Sequence, residues 1–322
     1  MSQFVNNFLI KDMTTNKGEF TMSVINRKGA DKLRAEVLGI DTATKGEKMA
    51  RSLLDDFNQF HSLNRVKEDK EIEMLLVQQR LKEIEMIDAE PTYPKDKVKF
   101  NPSGASKTIY DLYLKGRKVE EKEERYPYHQ RWTRNSTAIH GATQRDLLYM
   151  EKVLPNPSFT VERTEEGLPA WEDNILQWKE LEHEGVSFIL NGKMDGILVY
   201  KDGTRVGFEF KTKSNSIGQV GYYKMREVID SHIKQCISYY LLFGIRDYIV
   251  MYEGVAKDQW SKGAEAKPDI RTFHLYITDE MAEEILDKFA TVTKHVEDGI
   301  EPADKELSFF SGYKYLLEAT EV

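Results

Sequence analysis

Residues 186–211 read VSFILNGKMDGILVYKDGTRVGFEFK, and their pattern decides how the chain folds. Three β-type runs stand here, Val186–Leu190, Met194–Tyr200 and Thr204–Phe210, separated by Asn191-Gly192 and by Lys201-Asp202-Gly203. Asn-Gly and Asp-Gly between apolar runs are strong hairpin signals, so the spacing predicts a three-stranded antiparallel meander. Alternation puts Glu209 and Lys211 on one face of the third strand and Phe210 on the other. Whether Asp195 joins them depends on the second turn. A two-residue turn pairs Lys201 with Thr204 and leaves Asp195 opposite Phe210, on the wrong face. A three-residue loop with Gly203 left-handed pairs Tyr200 with Thr204 and sets Asp195 opposite Glu209. The apolar pattern favours the second choice, because Met194, Leu198, Tyr200, Val206, Phe208 and Phe210 then share one buried face.

Working outward, a helix is expected over about Tyr222–Phe243, with Met225, Ile229, Ile233, Cys236 and Tyr240 on one stripe. Strands at Tyr248–Tyr252 and Thr272–Ile277 follow. Strand, helix, strand implies a crossover and a parallel neighbour. Upstream, a helix from about Ser136 to Val153, capped by Asn135, Ser136 or Thr137, ends at Pro155 and Pro157. A short helix is expected at Ala105–Leu114, with a charged, exposed stretch at 117–131. Residues 88–106 hold three prolines and a glycine and make the best boundary in the chain. Residues 46–87 read as helical, with Met49, Leu53, Phe57 and Phe60, then Ile72, Leu75, Leu76 and Leu81, at three- and four-residue steps. Residues 1–45 read as weakly structured. The expected class is α/β, a mixed sheet flanked by helices, with residues 1–95 an N-terminal helical region and 96–322 the main domain.

The 322 residues carry 40% hydrophobic and 31% charged side chains, the balance of a globular chain with a core. No apolar run approaches the ~18 residues that span a bilayer, and the first residues lack the pattern of a secretion signal. The single cysteine, Cys236, excludes an internal disulfide, a zinc ribbon and a four-cysteine iron–sulfur cluster, and suits a reducing cytoplasm. A net charge of −8 means that any nucleic-acid contact is local, against an unfavourable global field. Carboxylates loaded with divalent cations remove that objection at the point where phosphate arrives.

Two carboxylates side by side repel unless a cation lies between them. Asp195 and Glu209 offer the oxygen ligands that suit Mg²⁺ or Mn²⁺, and the backbone carbonyl of Phe210 adds a third. Such a cation polarises a phosphodiester and acidifies a bound water. Lys211 is then placed to hold the attacking water, act as base or neutralise charge developing on phosphate. The ordinary alternative is a surface ion pair between Lys211 and either acid. Gln235 and Tyr239 share one helical face, as do His140 and Gln144 one turn apart. His140 is a candidate metal ligand through neutral imidazole. Gln235 and Tyr239 are candidate catalytic residues that orient a substrate phosphate or base, and Gln144, Lys213 and Ser214 are further candidate substrate contacts.

With these residues in order, the chain resembles the RecB-type branch of the PD-(D/E)XK nuclease superfamily, and phage-encoded and CRISPR-associated RecB-like exonucleases in particular. The resemblance covers about residues 100–315. It rests on a helix histidine (His140), Gly-x-x-Asp (Gly192 to Asp195), Glu-x-Lys (Glu209 to Lys211) and Gln-x-x-x-Tyr (Gln235 and Tyr239). Each motif is weak alone; their order on the expected elements makes them strong together. The resemblance implies a restriction-endonuclease-like core and cleavage of DNA with one or two metal ions, usually by exonucleolytic action on ends or single strands. Many members hold an iron–sulfur cluster. Residues 101–106 and 308–315 resemble the segments that carry its cysteines, but the cysteines are missing, so no cluster is expected. Packing of Phe309, Phe310 and Tyr315 is expected to tie the carboxyl end down instead. Residues 1–95 match no recognised family.

The reading is thus a cytoplasmic Mg²⁺- or Mn²⁺-dependent deoxyribonuclease, an exonuclease of phage or bacterial origin. DNA is its partner, with a second copy of the chain or a recombination protein as a further one, and no membrane. The rivals are an endonuclease with the same site, a binding module that keeps the fold without turnover, and a nuclease acting on RNA.

Overall fold

The computed structural model describes residues 43–122, 125–214 and 216–318. The expectation for residues 1–42 lies outside them. Contacts group Thr44–Val322 into one compact unit, and that unit is described here. It is a mixed α/β fold, with two mixed sheets flanked by helices, the arrangement expected of a restriction-endonuclease-like core.

The five-stranded sheet runs in the order β2 (Phe159–Val161), β5 (Gly196–Tyr200), β6 (Arg205–Lys213), β7 (Asp247–Gly254) and β8 (Ile270–Tyr276). The β5–β6 hairpin closes through the three-residue loop. Tyr200 N–H donates to the Thr204 carbonyl at 2.9 Å, Gly203 has φ +88°, and Gly196 pairs with Phe208. That register extends to Asp195 opposite Glu209. The crossover α5 (Asp230–Phe243) joins β6 to a parallel β7, with Glu209 beside Val250. Strand β7 is buried on both faces, as its unbroken apolar run requires. Its Tyr248, Val250 and Tyr252 enter one core with α5 and α6 (Asp279–Asp298), while Ile249 and Met251 enter the other. The second core also takes Leu198, Tyr200, Val206, Phe208 and Phe210 of the hairpin. Met194 lies in the first core instead. Pairing of β5 begins only at Gly196, so strict alternation does not reach Met194.

The meander is not formed. β4 (Val186–Gly192) belongs to a three-stranded sheet with β1 (Lys99–Phe100) and β3 (Gln177–His183). Asn191 and Gly192 are inside that ladder, opposite Trp178 and Gln177, so they do not turn the chain. Gly192 is needed for close approach: a Cβ there would stand 2.6 Å from the Pro102 ring. The hairpin turn is instead Glu184-Gly185, both left-handed (φ +48° and +77°), the pattern of a tight two-residue loop.

Helices α1 (Lys45–His61) and α2 (Lys70–Met86) are separate, broken at 62–69. A capping box between Thr44 and Glu47 starts α1. Met49, Leu53, Phe57, Phe60 and Ile72 share the core under β8 and α4 (Pro127–Val153), so these helices join the sheet across the proline-rich 88–106. Leu81 is exposed, unlike its place in the expected stripe. Helix α3 spans Ile109–Gly116 rather than starting at Ala105. Helix α4 starts at Pro127, a position favourable to proline, so Asn135, Ser136 and Thr137 are interior and cap nothing. Helix α5 begins eight residues later than expected, leaving Tyr222, Met225 and Ile229 off it.

The carboxyl end is fastened by polar groups. Buried Asp111 accepts the Ser308 N–H at 2.8 Å and the Ser311 hydroxyl, and Tyr313 packs with Tyr110, Tyr113 and Leu114. Phe309 and Phe310 are 78% and 87% exposed, contrary to the expected anchoring, while the Tyr315 hydroxyl reaches the Glu120 carbonyl. Among the described residues no helix is long and apolar enough to cross a membrane.

Candidate metal centre

Beyond Gly196, β5 leaves the ladder and the chain bends across the end of β6. Asp195 Oδ2 caps the vacated edge by accepting the Phe210 N–H at 2.7 Å. In an extended strand the N–H and C=O of one residue point to the same edge, so the Phe210 carbonyl opens beside Asp195. Gln144 of α4, buried, donates its amide to the Asp195 carbonyl at 3.0 Å. Through that contact Gln144, expected as a substrate contact, supports the Asp195 backbone.

Glu209 is fully buried. The Lys211 ammonium closes on its Oε1, while Oε2 has no hydrogen-bond partner among the described residues. Burial, and then the Asp195 carboxylate, push the Glu209 pKa up; burial likewise raises that of Asp195. Burial opposes the charge on Lys211, but Glu209 and Asp195 outweigh it and hold the ammonium above its ordinary pKa. Two desolvated acids that share one lysine resist losing both protons, and a further cation between them is what would favour the doubly ionised form.

His140, on α4, stacks its ring on Phe210 at 5.8 Å between centroids and 13° between planes. Its Nε2 stands 3.6 Å from Asp195 Oδ1 and its Nδ1 3.7 Å from Glu172 Oε1. Both separations are too long for hydrogen bonds, and Nε2 is buried without a partner. Burial lowers the His140 pKa, which keeps the imidazole neutral and able to ligate. His140, Glu172 and Asp195 offer ligand atoms all within 4.8 Å of one another. Ligand distances of about 2.0–2.2 Å let a divalent cation span such gaps. The mixed oxygen and nitrogen donors of His140, Glu172 and Asp195, with His140 Nε2 unpartnered, therefore fit a divalent metal; Glu209, its Oε1 held by Lys211, lies outside that grouping.

Glu172 was not found from the sequence. It sits in a 3-10 turn (Glu172–Ile175) with φ +46°, and its N–H donates to the Met194 carbonyl at 2.9 Å. Lys193 bridges it to Asp173, at 3.2 and 2.9 Å. The available signal was Glu172-Asp173 directly after Trp171, an acidic pair with no periodicity to single it out.

On α5, Gln235 donates to the Tyr239 hydroxyl at 2.7 Å. Burial, then the charges of Glu209 and Asp195, push the Tyr239 pKa well up, so the phenol stays protonated beside the carboxylates. Cys236, between them, is buried and kept as a thiol for the same reasons. Lys213 continues the face of Glu209 and Lys211 along β6, and burial lowers its pKa. Ser214 opens on a separate cleft with Trp132, Asn135, Ser136 and Thr212. A second grouping, His183 with Glu283 and Asp287, is already closed by a 2.6 Å contact between His183 Nε2 and Asp287.

No protein-family model matches the chain, and no curated protein matches it. Solved structures similar to it include an alkaline exonuclease (LHK-Exo) from Laribacter hongkongensis, at 13% identity and a TM-score of 0.39, covering 70% of this chain and 95% of that one. A phage-related exonuclease from Haemophilus somnus 129PT is similar at 12% identity and a TM-score of 0.31, covering 68% of this chain and 93% of that one.

Proposed function

We propose that this chain is a metal-dependent deoxyribonuclease, an exonuclease acting in a cytoplasmic setting, whose site is built on Asp195, Glu209 and Lys211. The observation that carries the reading is Glu209, a fully buried carboxylate with one oxygen unpartnered, whose pKa is raised further by a second, half-buried carboxylate, Asp195. A structural ion pair needs no second acid and no orphaned oxygen; a cation site needs both.

Asp195, Glu209 and His140 would hold Mg²⁺ or Mn²⁺, with Glu172 a further carboxylate and the Phe210 carbonyl a further oxygen. Bound there, the metal supplies Lewis-acid polarisation of a phosphodiester and a water acidic enough to attack it. The protein's own groups do the rest. Lys211, held charged by its two acids, orients the water and offsets charge growing on the phosphate oxygens; its raised pKa suits this role better than that of base. Gln144 fixes the Asp195 backbone, and Phe210 fixes the His140 ring. The Gln235–Tyr239 pair supplies neutral donors at the edge of the carboxylates, where a substrate phosphate or base is oriented. Lys213 is a phosphate contact further along β6, and Ser214 one on the neighbouring cleft.

The test is digestion of end-labelled linear DNA and covalently closed circular DNA with Mg²⁺, Mn²⁺ or EDTA. The expected result is release of nucleotides from linear DNA with metal, none with EDTA, and an intact circle. Asp195→Ala and Lys211→Ala are expected to abolish cleavage and keep the fold. Full activity in either variant overturns the site, a cut circle overturns end-dependence, and preferred cleavage of RNA of the same sequence overturns the choice of DNA.

A further inference from the structure

Between the end of β6 and the start of α5 stands an aromatic pair that the chemistry above does not use. Tyr222 and Tyr223 stand side by side, 71% and 83% exposed, their rings 5.8 Å apart and nearly perpendicular. Adjacent exposed aromatic rings make a patch that a partner can cover. The Tyr222 ring is held from one side by the Arg271 guanidinium, 5.0 Å from its centroid. Beside the pair is an open cavity of about 820 Å³ lined by Lys213, Gln219, Tyr223, Lys224 and Arg226. Among the described residues Lys213, Lys224 and Arg226 enter no ion pair. Glu227 and Asp230 also line it, but the Asp230 charge is engaged by Lys234 at 2.7 Å.

The cavity shares β6 with the candidate metal centre, through Lys213 on its wall. Lys213 follows Glu209 and Lys211 on the same face of β6, so its Cα lies about 13 Å from that of Glu209 at ~3.3 Å per residue. At the other wall, Ile229 and Asp230 lead into α5, which carries Gln235 and Tyr239. We propose that this cavity is the track of a single-stranded nucleic acid leaving or entering the metal centre, with Lys213, Lys224 and Arg226 on its phosphates and Tyr222 and Tyr223 stacking on its unpaired bases. The inference rests on the nuclease reading and adds strand form to it. Unpaired bases show π-faces that a duplex hides, and an aromatic pair beside a cationic groove is the combination that grips them without regard to sequence. The local positive charge also answers the net charge of −8.

The test uses the full chain in EDTA, so that no turnover occurs, with a fluorescein-labelled oligo(dT) followed by anisotropy at 50 mM and 200 mM salt. Wild type is expected to bind, with an equal amount of blunt duplex a poor competitor. Tyr222→Ala/Tyr223→Ala is expected to weaken binding at least ~10-fold, and Tyr222→Phe/Tyr223→Phe to restore it. Lys224→Ala and Arg226→Ala are each expected to flatten the salt dependence by about one phosphate contact. The exposed tyrosines leave the melting temperature as a control for folding. Absence of binding, unchanged binding in the double alanine variant, or equal competition by duplex overturns the track. Tyrosine-dependent binding without metal-dependent cleavage overturns the nuclease reading and leaves the track standing.

Discussion

Asp195→Asn separates a cation site from a structural carboxylate cluster. Asparagine keeps the shape and an oxygen for the Phe210 N–H that Asp195 Oδ2 now accepts at 2.7 Å, and the Gln144 bond to the backbone carbonyl is untouched. The substitution removes one desolvated negative charge and leaves Lys211 its contact with Glu209. Without metal, the variant is therefore expected to melt within a few degrees of wild type. With metal the two part. A ligand at 100 times its Kd stabilises the native state by about 2.7 kcal/mol. In a unit as long as Thr44–Val322 each kcal/mol shifts Tm by about 2 °C, so saturating Mn²⁺ is expected to raise the wild-type Tm by about 5 °C. The variant is expected to show a rise under about 1 °C at the same concentration. Differential scanning fluorimetry over a Mn²⁺ titration, with Ca²⁺ as the oxygen-seeking comparison, reads both numbers. An equal Mn²⁺ shift in both proteins refutes the assignment of Asp195 as ligand, and a collapsed metal-free variant shows that its carboxylate holds the fold.

Gly203→Ala tests the loop that brings Asp195 opposite Glu209: nothing lies within 4 Å of a Cβ there, so the cost is the left-handed backbone alone, about 1–2 kcal/mol, read as a Tm lowered by ~2–4 °C; no change means the loop is not left-handed in solution. His232 gives a pH dependence. Burial, then Lys211 and Lys213, lower its pKa from 6.5 to about 3, with its Nδ1 2.7 Å from the Tyr252 hydroxyl. The unfolded chain takes up a proton below 6.5 that the folded chain refuses, so this group's contribution to stability is lost as pH falls from 6.5 towards 3. Urea unfolding at several pH values is expected to give a shallower acid limb for His232→Gln than for wild type, and parallel limbs would show that the imidazole is not neutral in the fold.

The parts legible in the sequence are those whose information is local. The Lys201-Asp202-Gly203 loop and the alternation of Val206, Phe208 and Phe210 determined one register, and that register sets Asp195 opposite Glu209. The crossover to a parallel β7 followed from the order strand, helix, strand. What failed depended on partners far along the chain. Asn191-Gly192 carries a turn signature, yet β3 offers a ladder that continues through it, and Pro102 packs where a side chain would stand. The strand β3 itself, Gln177–His183, is half exposed and charged, so its pairing with β4 left no apolar stripe to read. Glu172 reaches the candidate site because Trp171 is buried ahead of it and Met194 accepts its N–H, neither of which is visible as spacing. Met225 and Ile229 in helical phase suggest an early start of α5, but Met225 packs from an irregular segment and Ile229, exposed, only caps the helix.

The backbone of Glu172 has a cost that its side chain must justify. A non-glycine residue at φ +46° stores on the order of 1 kcal/mol. Glycine would relax it while keeping the N–H that meets Met194. A laboratory selection for heat resistance alone, with no demand for ion retention, would accordingly enrich Glu172→Gly, and the survivors would be sturdier proteins with one carboxylate fewer around His140. On the proposed reading, an acid at that torsion exchanges durability for chemistry, written into a single dihedral angle.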